Sequence, residues 1–519
     1  MASEPYYLTT PIYYVNDIPH IGHAYTTLAC DVMARFMRLD GRDVYFLTGT
    51  DEHGQKVEQA AKAAGVSPQA LADRNSERFR SLAQDMGYSN DDFLRTTEPR
   101  HIEAVQALWR ELIKRDEIYL GSYAGWYSVR DEAFFAESEL IKGEGGKLLA
   151  PTGTGAEVEW VEEPSYFFRL SAWGDRLLEY YDSHPDFIAP ESRRNEVVSF
   201  VKGGLMDLSV SRTSFKWGVP VPDDPDHVMY VWIDALTNYM TGVGYPDTES
   251  ASFKKFWPAD LHMVGKDILR FHAVYWPAFL LAAGVEPPKR VFAHGWWTNE
   301  GQKISKSIGN VIDPYDLVTR YGRDQMRYYL LREVPFGNDG DFSHTAMIQR
   351  TNADLANGIG NLAQRTLTLI NRNCAEAVPQ PGTLDAEDTA LIAAAGTDLL
   401  ETMRVDLGRQ EFHKALATLM AAVSGADAYI TRHEPWVLKK TDTVKMERVL
   451  YVLAETVRNL ALTMLPFTPD AASQLLDQLA VPEDARTFDR IGPAGALVPG
   501  TALPKPQGVF PRLQESAED

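Results

Sequence analysis

The chain has 519 residues, 45% apolar and 24% charged, with a formal net charge of −21. That length exceeds what one core serves, so three or four structural units are expected, and the ordinary apolar content excludes a disordered or fibrous chain. The acidic balance excludes a nonspecific nucleic-acid coat, although local basic patches can still grip one RNA under salt screening.

The two cysteines, Cys30 and Cys374, stand far apart, which excludes a disulfide framework or a cysteine-based zinc knuckle. The longest apolar stretch, "FHAVYWPAFLLAAGV" (271–285), is broken by His and Pro and is too short to cross a bilayer. The start, "MASEPYYLTT", has neither a secretory nor an Arg-rich transit pattern. A soluble, cytoplasmic protein with no membrane association is expected.

In chain order, residues 5–14, "PYYLTTPIYY", read as one buried strand. Pro19 and Gly22 punctuate a loop, after which "HAYTTLACDVMARFMRLDG" reads as a helix with Leu28, Val32, Phe36 and Leu39 on its apolar face, ending at Gly41. A second strand, "DVYFLTGT", runs to Asp51. Strand, loop, helix and strand form a βαβ unit, and nucleotide sites form at the carboxyl ends of such strands.

From about 116 to 225 the pattern is irregular, with a Gly-rich patch "GEGGKLLAPTGTG", and reads as an insertion. The βα rhythm returns in "HVMYVWIDALTNYM", "LHMVGKDILRFHAVYWPAFLLAAG" and "RVFAHGWWT". From about 351 amphipathic helices take over, among them "LANGIGNLAQRTLTLI" and "FHKALATLMAAVSGADAYI", and predict a helical bundle.

Two short stretches suit phosphate. In "PHIGHA", His20 and His23 lie after the first strand, where a helix N-terminus offers unpaired N–H groups and partial positive charge. Gly22 would let a nucleotide approach the backbone, and the two rings, three residues apart, could face one ligand. The alternative is a histidine pair that caps a turn. In "GQKISKSIGN", Lys303 and Lys306 are point charges on flexible stems, flanked by Gly301 and Gly309, which would let the loop move. Alone this is a solvated loop; it follows "RVFAHGWW", so it lies beyond another strand edge.

These stretches together resemble the HIGH and KMSKS signatures of class I aminoacyl-tRNA synthetases, here HIGH and KISKS, with Ile304 at the family's Met. Over nearly its whole length the chain is similar to the methionyl-tRNA synthetase family, in "TTPIYYVNDIPHIGHAYT", "FLTGTDEHGQK", "SRTSFKWGVPVP", "MYVWIDALTNYM", "VGKDILRFHAVYWPA" and "HGWWTNEGQKISKS". The resemblance implies an α/β fold: a Rossmann-like parallel-sheet catalytic domain with a connective insertion, followed by an α-helical bundle anticodon-binding domain. The implied division is a first catalytic half at 1–115, the insertion at 116–225, a second catalytic half at 226–295, a KMSKS-loop and stem-contact region at 296–350, and the anticodon-binding domain at 351–519. Without the family's cysteine knuckle, a zinc-free form is implied, with no metal held by protein ligands.

Trp232, Ala235 and Tyr239 fall at offsets that share one helical face, and Ile268, His272 and Trp276 recur every four residues. With Ile12 and Tyr14 they could line an aromatic-rich slot for an unbranched thioether, since sulfur packs well against rings. Ordinary core is the competing reading of each stripe. By resemblance, Asp51 holds the ammonium of L-methionine. Methionine's own carboxylate can attack ATP, so catalysis is positioning plus charge stabilisation. The family implies His20, Gly22, His23, Lys303 and Lys306 on ATP, Mg²⁺ on the β- and γ-phosphates, and Asp267 near the ribose. Size alone separates methionine from leucine by only about 1–3 kcal/mol, so sulfur contacts from Tyr14 and His272 would have to add to it.

In the helical third, Asn361 and Arg365 lie off the apolar stripe of Leu355, Ile359, Leu362 and Ile370. Trp436 follows a proline and precedes two lysines. RNA readers stack splayed bases on aromatics while polar side chains read the base edges, and these three match the family's anticodon-reading positions. Plugging the bundle is the simpler use for Trp436. The expected partners are ATP, L-methionine and a methionine-specific tRNA, and the expected state is a monomer. A leucyl or cysteinyl synthetase, an HxGH-type small-molecule nucleotidyltransferase and a non-catalytic tRNA binder are the alternatives.

Overall fold

The computed structural model describes residues 3–15, 19–131, 133–135, 137–152, 154–303 and 311–514, leaving aside the side chains of Tyr123, Ala133, Phe134, Glu144 and Lys303. The chain folds into two compact units. One comprises Tyr6–Pro19 and Tyr45–Ala293; the other comprises Met1–Pro5, His20–Val44 and His294–Asp519.

The first unit is built on a seven-stranded sheet of β1 (Pro5–Thr9), β2 (Tyr13–Tyr14), β3 (Asp43–Asp51), β4 (Asp92–Arg95), β5 (Ile188–Ala189), β6 (Leu261–Gly265) and β7 (Val291–His294). Their order is β5-β7-β6-β1-β3-β2, with β4 also beside β3. The pairs β1–β6, β5–β7, β2–β3 and β3–β4 are parallel. Every residue of β6 is buried, as both covered faces of a parallel sheet require. The expected single strand over 5–14 is interrupted: Thr10 still donates its N–H to the Leu47 carbonyl, but Pro11 has no N–H to give, and pairing resumes at Tyr13.

Two helices of this unit matter for the site, α2 (Pro99–Lys114) and α3 (Val231–Thr241). The core around them includes Tyr7, Leu47, Leu108, Ile233 and Phe279. The irregular region is dominated by a long antiparallel hairpin, Ile118–Ser128 against Glu159–Phe168.

The second unit contains α1 (Ile21–Leu39) and the bundle. Asp31 on that first helix is fully buried, 2.7 Å from the equally buried Arg327 guanidinium, which also donates to the Phe467 and Pro466 carbonyls. Breaking such a pair would strand a buried charge. The bundle includes Phe412–His433 and Thr443–Met464, the latter buried continuously from Val449 onward. "LANGIGNLAQRTLTLI" is not one straight helix. Asn352–Gly360 is π-wound with Gly358 at φ −83°, ψ −109°, before the α-helix Asn361–Asn373. A π turn inserts an extra residue per turn and bends the helix there. Among the described residues no helix is long and apolar enough to cross a membrane. The α/β sheet and helical bundle agree with the fold class expected from the sequence.

Candidate functional site

The HIGH turn lies in the second unit. His20 is the N-cap of Ile21–Leu39, at φ −137°, ψ 176°, and the cap is reciprocal. His20 Nδ1 accepts the Gly22 N–H at 3.1 Å, and His23 Nδ1 accepts the His20 N–H at 3.1 Å. The rings lie 3.9 Å apart at 34°. The capping use and the phosphate use are therefore compatible. An Nδ1 that accepts must carry its proton on Nε2, so both rings are fixed in the tautomer that donates from Nε2. Burial, and then the neighbouring His20, push His23 well below the usual histidine range, so it is a neutral donor at pH 7. A Cβ at Gly22 would fall 2.9 Å from His20 Cε1: glycine here makes room for the capping ring. Ile21 N–H donates to the Ile312 carbonyl, and Thr26 Oγ1 lies 2.7 Å from His294 Nε2.

The approach to KISKS is a tight hairpin. Trp297–Asn299 pairs with Gln302–Lys303 through Glu300 and Gly301, at φ 49° and 76°. Positive φ at both turn residues matches the strands' twist. Asp341 Oδ1 accepts from Gly301 N–H at 2.8 Å and from Thr298 Oγ1 at 2.5 Å. Gly301 closes this anchored turn because it tolerates left-handed backbone. The Lys303 side chain, Ile304, Lys306 and Gly309 lie outside the described residues.

The slot residues lie in the first unit. Asp51, buried, ends β3 opposite Tyr14. Ile12 and Tyr14 are half-buried, and the Lys56 ammonium stands 5.1 Å from the Tyr14 ring centre. Half-buried Trp232 stacks on Phe271 at 3.6 Å and 7°, and meets His272 edge-on at 6.4 Å. Ala235, Tyr239 and His272 are buried, Ile268 is half-buried and Asp267 is exposed. His272 Nδ1 lies 2.9 Å from the Ile268 carbonyl and must donate to it, so Nε2 accepts from the Tyr239 hydroxyl at 2.6 Å. Burial lowers His272 to about 4. With both nitrogens engaged, the expected sulfur contact from His272 is limited to the ring face. Trp276 is wholly buried core, and the π-wound Phe271–Tyr275 turn breaks its expected four-residue alignment with His272.

Sequence reading missed a buried cluster next to this slot. Asp234 on α3 receives His53 Nδ1 on Oδ2 at 2.7 Å and His101 Nε2, from α2, on Oδ1 at 2.8 Å. Burial by itself would raise the Asp234 carboxyl, but its electrostatic and hydrogen-bond interactions with His53 and His101 hold it at about 2. Its members are 181 and 133 positions from Asp234, so no local spacing reveals them.

In the bundle, the Arg365 guanidinium sits 5.8 Å from the Trp436 ring centre, within cation–π range, and pairs loosely with Asp427 at 3.5 Å. Trp436 is half-buried just past a left-handed turn at Glu434, and Asn361 is exposed one turn before Arg365. Among the described residues no group of three His, Cys, Asp or Glu could hold a metal ion.

Comparison with known proteins gives this geometry its context. The family pattern "tRNA synthetases class I (M)" matches residues 6–367, and "Anticodon binding domain of methionyl tRNA ligase" matches 378–519. A methionine–tRNA ligase of Mesorhizobium japonicum is 58% identical over 515 residues, 99% of each chain. One of Brucella suis is 56% identical over 518 residues, 100% of each chain. The solved structure of Mycobacterium tuberculosis methionyl-tRNA synthetase in complex with methionyl-adenylate has a TM-score of 0.95 at 54% identity, over 98% of this chain and 100% of that one. The similarity runs over the full length, and the chain belongs to the methionine–tRNA ligases, a family of class I aminoacyl-tRNA synthetases.

Proposed function

We propose that this ligase activates L-methionine with ATP to methionyl-adenylate and pyrophosphate, then passes the methionyl group to the 3′-terminal adenosine of its tRNA with release of AMP, with the following division of labour. His20 and His23 donate Nε2–H to ATP phosphates beside the Gly22 backbone. Lys303 and Lys306 supply positive charge as pyrophosphate departs. ATP enters as its Mg²⁺ complex, and Asp267 takes the ribose hydroxyls. A methionine carboxylate oxygen attacks the α-phosphorus, and the P–O bond to pyrophosphate breaks; no protein nucleophile is needed. Asp51 holds the ammonium, while Ile12, Tyr14, Trp232, Ala235, Tyr239, Ile268 and His272 enclose the thioether side chain. Asn361, Arg365 and Trp436 read the anticodon.

The observation that carries the ATP assignment is the reciprocal cap, which fixes both histidines as Nε2 donors. Neutral donors stabilise developing charge without attracting it into the wrong place beforehand. The proposal extends to the five-part division given above, to a cytoplasmic monomer and to a zinc-free enzyme. It is tested by ATP–pyrophosphate exchange across the twenty amino acids, followed by charging of total tRNA. Methionine-dependent exchange and charging of one tRNA family are expected; exchange indifferent to methionine would overturn the amino-acid assignment.

A further inference from the structure

Each residue after Asp51 is held by a different contact. Glu52 N–H donates to Thr96 Oγ1 at 2.9 Å, and the Glu52 carbonyl accepts from Trp217 Nε1 at 2.5 Å. Its carboxylate takes the Arg95 guanidinium in two bonds, 2.7 and 3.0 Å. Gly54 N–H donates to the Trp217 carbonyl. Between them His53, its ring edge-on to Trp217 at 5.4 Å, reaches Asp234. Asp234 stands two residues after Trp232 and directly before Ala235 on α3.

We propose that His53, Asp234 and His101 are positioning residues for the amino-acid site: one buried carboxylate, gripped by two imidazoles, locks the end of β3 that carries Asp51 to the helix whose face lines the slot. This rests on reading Asp51 and the α3 face as the methionine site. Apolar packing would hold α3 against β3 but would leave its rotation about its own axis poorly specified. A carboxylate has two directional acceptors, and here each is taken by a ring from a separate element, His53 after β3 and His101 on α2. His101 Nδ1 also lies 3.0 Å from Thr241 Oγ1 at the far end of α3, so one ring spans that helix from Asp234 to its last residue. Burying a charge this deeply is costly unless every partner is present, so the arrangement tolerates little drift. The distance from the Asp51 carboxylate to the thioether slot is thereby set before substrate arrives.

The test uses the full-length enzyme, with methionine and ATP varied separately in pyrophosphate exchange and melting followed in parallel. Asp234→Asn should raise the KM for methionine tenfold or more, because displacement of about 1 Å costs up to a hundredfold. The KM for ATP should stay within about threefold. The histidines give a sharper comparison, since an Asn amide nitrogen replaces Nδ1 and a Gln amide nitrogen replaces Nε2. His53→Asn should keep methionine affinity where His53→Gln loses it; at position 101, Gln should keep it and Asn lose it. This pairing decides the matter even if Asp234→Asn fails to fold. Equal effects of Asn and Gln at each position, or methionine and ATP terms that fall together with the melting temperature, would overturn the positioning role. Wild-type exchange that ignores methionine would instead overturn the site assignment beneath it.

Discussion

Gly22→Ala perturbs the histidine cap and the backbone proposed to lie beside the ATP phosphates. The added Cβ would stand 2.9 Å from His20 Cε1 and 3.1 Å from its Nδ1. Carbon contacts become favourable only from about 3.5 Å, so the ring must withdraw by roughly 0.6 Å. The Gly22 N–H to Nδ1 bond, now 3.1 Å, then passes the range of a useful hydrogen bond. Losing an N-cap bond costs about 0.5–2 kcal/mol. Alanine in place of glycine within a helix returns about 0.8–1 kcal/mol. The two nearly cancel, so the melting temperature should move by no more than about 2 °C. Activity has no such offset: a misplaced donor at the phosphates should lower kcat in pyrophosphate exchange by roughly 10–100-fold, while methionine binding persists. Near-normal exchange in the folded variant would refute the role given to the cap, and so would an activity loss that merely tracks the unfolded fraction.

The remaining predictions concern the slot, the loop and the bundle. His272 is lowered by burial to about 4, against the opposing effects of the Ile268 carbonyl and Asp267, whereas an unfolded histidine titrates near 6.5. The unfolded chain therefore takes up this proton first, and stability is full above about pH 6.5 and lost toward pH 4 by up to about 1.4 kcal/mol per unit. His272→Gln should flatten that slope in denaturant titrations at pH 7, 6 and 5; unchanged slopes would count against it. Lys306→Ala should cut pyrophosphate exchange by roughly 100-fold or more while calorimetry still detects methionine binding, and near-normal exchange would sink the assignment. Trp436→Ala should keep exchange and lose tRNA charging by roughly 5–150-fold, the value of about 1–3 kcal/mol for one stacked base. Equal loss of both activities would mark Trp436 as a plug of the bundle.

What was legible in the sequence was what short-range chemistry determines. Strand β3 ending at Asp51, the glycine and histidines of the HIGH turn and the helical periodicity beyond 351 each depend on residues a few positions apart. Hydrophobic period, turn residues and motif spacing act over that range, and the short stretches they mark carry the resemblance that implied the family and several of its site residues. Tertiary structure decided the rest. It split the first strand at Pro11, wound an extra residue into the turn at His272, and turned the HIGH histidines into each other's caps. It grouped the HIGH helix with residues 294–519 through the buried Asp31–Arg327 pair. It also brought His53, His101 and Asp234 together from three distant segments. A buried carboxylate finds partners by proximity in the folded core, where burial makes an unpaired charge intolerable. Sequence separation carries no information about that, because in the unfolded chain the same groups are satisfied by water.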